Sequence, residues 1–332
     1  MGGGHGGPAL GPILASLGAG NCHELHRLLL PGVGMTKEDA RVLGHVLQSG
    51  ACPTLEDLDL EFNEDLGGEG LAYVMEALER GACPHLKNLK LPGVEMESSG
   101  ATALARALTS GSLSHIQSLD VRSNGIGDEG MTEILKALAS ACHDLRRIDL
   151  TYLGKLSQSL VAFHEALGDN AWPRLEEIQV PYPDEGSADG LVVSLATKGV
   201  GRCLRTIKIL CPVNKGIMFD ALADIFHQGA CPFLVELSIV TPEGGYDDDF
   251  RWDSIDQLED SLSRRAEVKI GSDPYGAFGD EESEDVYSDD GEEDMGDDFV
   301  EGGPYVGEED DIDYEGEQDE YSDEDEDAYD DV

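Results

Sequence analysis

An apolar pattern that recurs at a nearly constant interval constrains this chain more than any other feature of its sequence. Its frame is Leu-x-x-Leu-x-Leu, with Ile or Val at some positions. The eight copies begin at Leu25, Leu55, Leu86, Ile116, Leu145, Leu175, Leu204 and Leu234. Such a regular period predicts a repeat array, because one unit alone cannot bury its apolar face.

Each copy predicts a strand followed by a helix. In the Leu-x-Leu half, apolar residues alternate with other residues, which is the period of a strand. In "DEGMTEILKALAS", Met131, Ile134, Leu135 and Leu138 recur at helical spacing. One strand and one helix per repeat predict an α/β solenoid, with a curved parallel sheet inside and helices outside.

The periodic pattern divides the chain into three parts. Residues 1–21 are predicted to form an N-terminal cap with a short helix around "PALGPILASLG". Residues 22–270 contain the repeats and a C-terminal cap, in which "WDSIDQLEDSLSRRAEVKIG" predicts a helix and a last strand through Val268 and Ile270. Residues 271–332 hold 30 of the 69 Asp and Glu and no Lys or Arg, which predicts a disordered acidic tail.

The repeats resemble leucine-rich repeats of the long, helix-bearing, ribonuclease-inhibitor-like type. The copy closest to that consensus is "LDVRSNGIGDEGMTEILKAL", in which Asn124 and Ile126 occupy the Asn-x-Leu turn. The resemblance covers about three quarters of the chain and weakens after residue 150. There Leu153, Pro183 and Pro212 interrupt the turn, so irregular late repeats are expected.

The formal charge of −47 limits the class of partner. The part of the chain before the tail, 1–270, holds the other 39 Asp and Glu and all 22 Lys and Arg, so the array is acidic as well. This charge repels nucleic acid and anionic membranes and favours protein partners with a basic surface. We expect a monomer that binds such a partner, with no nucleic acid and no membrane.

The cysteine count and the N-terminus predict a reducing compartment. Seven cysteines are an odd number, and the opening "MGGGHGG" has no signal-peptide pattern. No apolar run approaches the length of roughly 18 residues that a membrane span requires. We therefore expect a cytoplasmic or nuclear protein.

Most cysteines occupy one position of the repeat. Cys22, Cys52, Cys83, Cys142 and Cys231 each stand three residues before the first apolar position of their repeat. Leu113 and Trp172 occupy the equivalent position in two other repeats. A position that accepts Cys, Leu and Trp is predicted to be a packing position, because a free cysteine behaves as a small buried hydrophobe.

The acidic stretch around Asp57, Asp59 and Glu61 resembles a calcium loop only superficially. An EF-hand loop requires Gly at its sixth position and Glu at its twelfth, where this chain has Phe62 and Gly68. Nucleotide-binding, serine-hydrolase and zinc-protease motifs are also absent. We predict no metal site, no cofactor and no catalytic residue, and therefore a protein that is not an enzyme.

The concave side of the sheet is the predicted docking face, because residues between the leucines point to it. Aromatic residues just past the strands are candidate anchors at its rim. The predicted partner-binding residues are Asp57, Asp59, Glu61, Phe62, Lys90, Asp120, Arg122, Arg147, Asp149, Tyr152, Tyr182 and Lys208. The alternative is a solvated surface in which exposed pairs such as Asp59 and Lys90 contribute only about 0.2–1 kcal/mol each.

The acidic tail has two interpretations. It is a solubility segment, or it is a polyanion that binds a basic partner with help from its regularly spaced tyrosines. Ser322 precedes Asp323, Glu324 and Asp325 and is a candidate phosphorylation site for an acid-directed kinase.

These features together predict a non-enzymatic scaffold that docks a protein on its concave face while the tail engages basic surface. Two resemblances leave alternatives open. Ran GTPase-activating proteins share helix-bearing repeats and an acidic segment, which implies GTPase activation, with Arg122, Arg146 and Arg147 as candidate guanidinium donors. Acidic leucine-rich nuclear phosphoproteins share the order of parts, which implies a histone-binding acidic chaperone.

Overall fold

Strands and helices alternate throughout the part of the chain that the structure describes. The computed structural model describes residues 10–20, 22–151, 153, 156–181, 185–210, 216–240, 252–262 and 266–271. The helices are α1 (Leu10–Gly20), α2 (Lys37–Gln48), α3 (Gly67–Glu79), α4 (Glu97–Thr109), α5 (Gly127–Ala141), α6 (Gln158–Gly168), α7 (Glu185–Ala196), α8 (Gly216–His227) and α9 (Trp252–Leu262). The strands are β1 (Arg27–Leu29), β2 (Asp57–Asp59), β3 (Asn88–Lys90), β4 (Ser118–Asp120), β5 (Arg147–Asp149), β6 (Glu177–Pro181), β7 (Thr206–Leu210), β8 (Glu236–Val240) and β9 (Glu267–Gly271).

The strands form one parallel sheet whose spatial order is the order of the sequence. Each strand from β1 to β9 pairs with the next strand along the chain, so β1 and β9 are the edges. Connections between neighbouring parallel strands have one hand, which places the helices on the same face of the sheet. Successive helices pack against each other in the same order. The predicted α/β leucine-rich repeat architecture is confirmed.

The middle residue of each strand is apolar and stacks on its equivalents. The register aligns Leu28, Leu58, Leu89, Leu119, Ile148, Ile178, Ile207, Leu237 and Val268. All but Val268 are buried, and they join the helices in one continuous core. Met131, Ile134, Leu135 and Leu138 of α5 lie in that core, as their spacing predicted. Core packing therefore runs without a break from repeat to repeat.

The cysteine position is a packing position, as predicted. Cys52, Cys83, Cys142 and Cys231 are at most 1% exposed, and Trp172 at the same position is 3% exposed. Burial raises the pKa of the Cys83 and Cys142 thiols to about 12. A thiol with so high a pKa stays protonated at neutral pH, so these two side chains act in packing and not as nucleophiles.

Two buried asparagines connect repeats at the turn that follows the strand. The side-chain amide of Asn124 donates to the carbonyl of Leu91 in the preceding repeat and accepts hydrogen bonds from the backbone N–H groups of Val94 and Met96. Asn63 connects its own repeat to the preceding one in the same way, donating to Leu30. Each amide thus provides partners for backbone groups that the turn would otherwise leave unpaired in the core.

Asp128 makes a further connection between repeats that the sequence did not reveal. Its carboxylate accepts hydrogen bonds from the backbone N–H groups of Ser157, Gln158 and Ser159, at the start of α6 in the next repeat. Burial acts to raise the pKa of Asp128. The hydrogen bonds from the Ser159 hydroxyl and these three N–H groups act in the opposite direction and outweigh burial, so the pKa falls to about 2. Asp128 therefore caps a helix of its neighbour.

The helices and the strand predicted near the two ends of the array are present. The N-terminal helix is α1, and the last helix and strand are α9 and β9. Strand β9 ends at Gly271, one residue beyond the predicted end of the array, and the tail that follows lies outside the described residues. The strands β6 to β9 keep their register and lengthen to five residues, so the irregularity expected of the late repeats does not extend to the sheet. None of the described helices is long and apolar enough to cross a membrane.

We expect Asn124→Ala to lower the free energy of unfolding by about 3 kcal/mol, because two buried N–H groups lose their acceptor. Urea unfolding followed by circular dichroism measures this loss. The control is Asn88→Ala, which removes a half-buried amide bonded to Asp57 on the sheet surface and should cost less than about 1 kcal/mol. Equal losses in the two variants would contradict a structural role for the turn amide.

Candidate docking face

The open face, as we call the side of the sheet opposite the helices, receives two residues from the three-residue core of each strand. The first residues of these cores are Arg27, Asp57, Asn88, Ser118, Arg147, Glu177, Thr206, Glu236 and Glu267. The last residues are Leu29, Asp59, Lys90, Asp120, Asp149, Gln179, Lys208, Ser238 and Lys269. The structure thus brings the predicted residues of strands β2 to β7 together on one face.

Charges on the open face are paired between neighbouring strands. The pairs are Arg27–Asp57 (Nε to Oδ2, 3.0 Å), Lys90–Asp59 (Nζ to Oδ2, 3.5 Å), Arg147–Glu177 (Nε to Oε2, 3.0 Å), Lys208–Glu177 (Nζ to Oε1, 3.9 Å) and Lys269–Glu236 (Nζ to Oε1, 3.3 Å). The predicted pair of Asp59 and Lys90 is confirmed. Several of the cations remain more than half exposed, so each pair contributes only about 0.2–1 kcal/mol.

Three aspartates close the end of their strands by bonding their own backbone. Asp59, Asp120 and Asp149 each accept a hydrogen bond from the N–H group two residues later, at 3.1, 3.1 and 2.9 Å. This local bond satisfies an N–H group that the strand no longer pairs. The same position therefore has the same structural role in three repeats.

That local bond corrects one part of the predicted docking face. Asp59 and Asp149 were expected to be open surface, but they are only 6% and 7% exposed. Their carboxylates bond the backbone beneath them, and the cations of Lys90 and Arg122 lie against them. Both residues position their neighbours and have little surface left for a partner.

Proline replaces the aspartate bond in the other three of the first six repeats. Where the last strand residue is Leu29, Lys90 or Gln179, the residue two positions later is Pro31, Pro92 or Pro181. Proline has no N–H group and needs no acceptor there. The sequence therefore marks this turn in one of two ways. Either the last strand residue is Asp, or the residue two positions later is Pro, and the repeat frame alone does not show this rule.

Arg122 is held between two carboxylates at the centre of the open face. Its guanidinium lies 2.9 Å from Asp120 and 3.4 Å from Asp149, and its side chain is 19% exposed. An arginine that stabilises a GTPase transition state must extend into the partner's site. Arg122 is directed along its own sheet instead, and Arg146 and Arg147 pair with Glu176 and Glu177.

Asp149 is the most strongly perturbed carboxylate among the described residues of the open face. Burial raises its pKa to about 6, although the hydroxyl and N–H groups of Thr151 and the charge of Arg122 act to lower it. The nearby charge of Asp120 raises it further. Desolvation therefore outweighs three favourable contacts at this position.

Phe62 is the exposed aromatic residue at the rim. Its side chain is 57% exposed, and its φ of +56° lies in the left-handed region. The equivalent positions in the flanking repeats are Gly32 and Gly93, with φ of +58° in both. Each of the three N–H groups donates to a carbonyl of the next repeat, which fixes this conformation. Phenylalanine therefore stands at a position whose backbone favours glycine.

The other predicted residues are placed as follows. Glu61 is half-buried beside Phe62, and Lys208 is half-buried on β7. Tyr152, Tyr182 and Ser322 lie outside the described residues. Asp57 and Asp59 pair with different cations, and no group of three His, Cys, Asp or Glu suited to a metal ion is found in the part of the chain that the structure describes.

Comparisons with known proteins find repeats and a distant structural neighbour. Residues 51–75 and 112–135 match a family model described as Leucine Rich repeat; these segments contain Asn63 and Asn124. No curated protein matches the sequence. Among 58 matching chains of solved structures is the C-terminal domain of tropomodulin from Caenorhabditis elegans, with 13% identity and a TM-score of 0.37. The match covers 56% of this chain and 91% of that one.

We expect Asp149 to make the stability of the array depend on pH. Its pKa is about 6 in the folded chain and about 4 when unfolded, so its contribution to the free energy of unfolding is complete below pH 4 and is lost as the pH rises through 6. Relative to Asp149→Asn, which cannot titrate, the wild-type chain should lose about 2 kcal/mol between pH 4 and pH 7. Urea unfolding at several pH values measures the difference.

Carbon-13 NMR of the Asp149 carboxyl provides the direct measurement. A titration midpoint near 6 is expected in the folded chain. A midpoint at or below 4 would show that Thr151 and Arg122 outweigh burial, and the pH dependence above would then be wrong.

Proposed function

We propose that this chain, which contains leucine-rich repeats, is a non-enzymatic scaffold that docks a protein partner on its open face. We further propose that the acidic tail, residues 271–332, binds basic surface on that partner or on a second one. A stacked parallel sheet offers an extended, rigid surface, which is how repeat arrays bind proteins. The tail adds a polyanion in which Lys and Arg are absent.

Phe62 carries the proposal for the open face. A phenylalanine in the left-handed region costs about 1 kcal/mol relative to glycine, which the flanking repeats have at this position. The exposed ring recovers little of that cost within the array, since it lies against Gly93, which offers no side chain. An exposed aromatic side chain of this kind is a typical anchor of a protein interface.

The residues around Phe62 and along the sheet divide into two roles. Leu29, Lys90 and Arg147 are exposed and can contact a partner directly. Asp59 and Asp149 are buried and hold the cations in place. Because most charges of the face are paired within the array, a partner gains more from apolar contact and shape than from new ion pairs. Tyr152 and Tyr182 remain predicted anchors.

We propose that the protein works as a monomer in a reducing compartment, cytoplasm or nucleus. The described cysteines are free thiols, and four of them are buried in the core. An oxidising compartment would expose a chain with an odd number of thiols to intermolecular pairing.

We expect Phe62→Gly to weaken partner capture without weakening the fold. Glycine accepts the left-handed conformation, so the free energy of unfolding should stay the same or rise by up to about 1 kcal/mol. Proteins captured from lysate by immobilised full-length chain and quantified by mass spectrometry should decrease at least about fivefold. The control, Val161→Ala, shortens an exposed side chain on α6 and should capture the same proteins at wild-type levels. Undiminished capture by Phe62→Gly would contradict docking through this rim.

We expect deletion of residues 272–332 to remove binding to a lysine-rich peptide while leaving the array folded. The strand β9 ends at Gly271, so this deletion keeps every described element. Fluorescence anisotropy across a salt series should show strong, salt-dependent binding by the full chain and a flat, weak response after deletion. Equal affinity of the two proteins at low salt would refute the role of the tail.

A further inference from the structure

One segment of this acidic chain has the opposite charge. Residues 190–219 contain five Lys or Arg and no Asp or Glu, within a chain whose formal charge is −47. The segment includes the end of α7, all of β7 and the loop between them. Three of its cations, Lys198, Arg202 and Arg205, are exposed, and within the described ranges their side chains form no ion pair. The local charge therefore remains available to an anion.

Ion pairs line the edge of the sheet at which the chain enters the strands. This row of pairs stops at the cationic segment. In earlier repeats this edge carries the pairs Lys87–Glu56 (2.9 Å), His115–Asp144 (3.3 Å), Arg174–Asp144 and Arg146–Glu176. The residues that continue the same two rows in the next repeats are Cys203, Arg205, Phe233 and Val235. Phe233 and Val235 are 67% and 54% exposed. Arg205 thus has Glu176, which already pairs with Arg146, on one side of its row and the apolar Val235 on the other.

A cavity of about 560 Å³ opens at this place, between the loops that follow α7 and α8. Among the described residues that line it, Lys198 and Arg202 are the charged ones, and both are cations. Leu195, Val200 and Ile225 form an apolar lining, with Phe233 at the side. A space of this size accepts one or two side chains or a small molecule.

One structural explanation for the cations is that they cap the C-terminal ends of α7 and α8. The hydrogen bonds of the two helix ends do not support this explanation. Helix C-termini attract cations to their unpaired carbonyl groups. After α8, however, the carbonyls of Asp224, Ile225 and Phe226 already accept hydrogen bonds from loop N–H groups. After α7, the carbonyl of Ser194 accepts in the same way. Within the described residues, neither Lys198 nor Arg202 hydrogen-bonds a helix end.

We propose that this cationic cavity, with the adjoining Arg205, Phe233 and Val235, is a second docking site, for an acidic peptide that carries an aromatic or aliphatic side chain. Carboxylates of the peptide pair with Lys198, Arg202 and Arg205, and its apolar side chain enters the cavity against Phe233. The charge complementarity and the exposed apolar residues favour such a peptide over a small inorganic anion, which would make no use of Phe233 or Val235. The site lies on the edge of the array and is independent of the open face.

A fluorescein-labelled peptide of alternating glutamate and phenylalanine tests the proposal on the full chain. Fluorescence anisotropy should show saturable binding that weakens with salt. The double charge reversal Lys198→Glu with Arg202→Glu should weaken binding at least about tenfold. The matched control, Arg41→Glu with Lys136→Glu, changes the same charge at exposed positions of α2 and α5 and should retain wild-type affinity.

The apolar part of the site is tested separately. Phe233→Ala should weaken the same peptide about fivefold, whereas Val161→Ala shortens an exposed apolar side chain on α6 and should have no effect. All these side chains are exposed, so circular dichroism should show wild-type melting for each variant. Unchanged affinity in the Lys198 and Arg202 variant would overturn the proposal. So would equal binding of an all-glutamate peptide that inorganic phosphate displaces, since that result assigns the cavity to small anions.

Discussion

The stacking of one apolar residue per strand on its neighbour supports every other feature of this structure. Leu58 lies against Leu28 on one side and Leu89 on the other, and neither contact exists within a single repeat. Burial of a leucine side chain contributes about 2 kcal/mol, so an isolated repeat lacks most of the burial that orders its backbone. The helices occupy one face because they cover this column, and the other face of the sheet is left uncovered by helices.

Stacking leaves backbone polar groups at each turn, and the chain satisfies them in three ways. Asn63 and Asn124 provide side-chain amides that reach into the preceding repeat. Asp59, Asp120 and Asp149 accept the N–H group that follows their own strand. At Pro31, Pro92 and Pro181, proline removes the N–H group altogether. These three acids of the open face therefore stabilise the fold. Their carboxylates bond the backbone of their own repeat.

Charge is distributed along the array with a clear consequence for binding. From β1 to β6, cations and acids alternate between neighbouring strands and neutralise each other. The proposed contacts of that region are accordingly apolar, with Phe62 as the anchor. Residues 190–219 contain no acid, and in the part of the chain that the structure describes Lys198, Arg202 and Arg205 form no ion pair, so their charge stays available. The two proposed sites thus differ in chemistry as well as in position.

The period of the sequence determined the strand and helix of each repeat, the parallel order of the sheet and the packing role of the cysteines. These properties depend on residue spacing within a repeat, which can be read directly from the sequence. Spacing also predicted which residues share the open face, such as Asp57 with Lys90. It could not predict that Asp59 and Asp149 are buried, because that depends on a cation from the adjacent strand and on a backbone N–H group two positions further along.

Only the tertiary structure decided the helix cap that Asp128 supplies to the next repeat, and the cavity beside Phe233. Both join residues of different repeats, and no pattern within one repeat records them. The left-handed backbone at Phe62 belongs to the same class, since a hydrogen bond to Pro92 of the next repeat fixes it. The sequence by itself determined the repeating unit; the contacts between units decided which of its polar residues remain exposed for a partner.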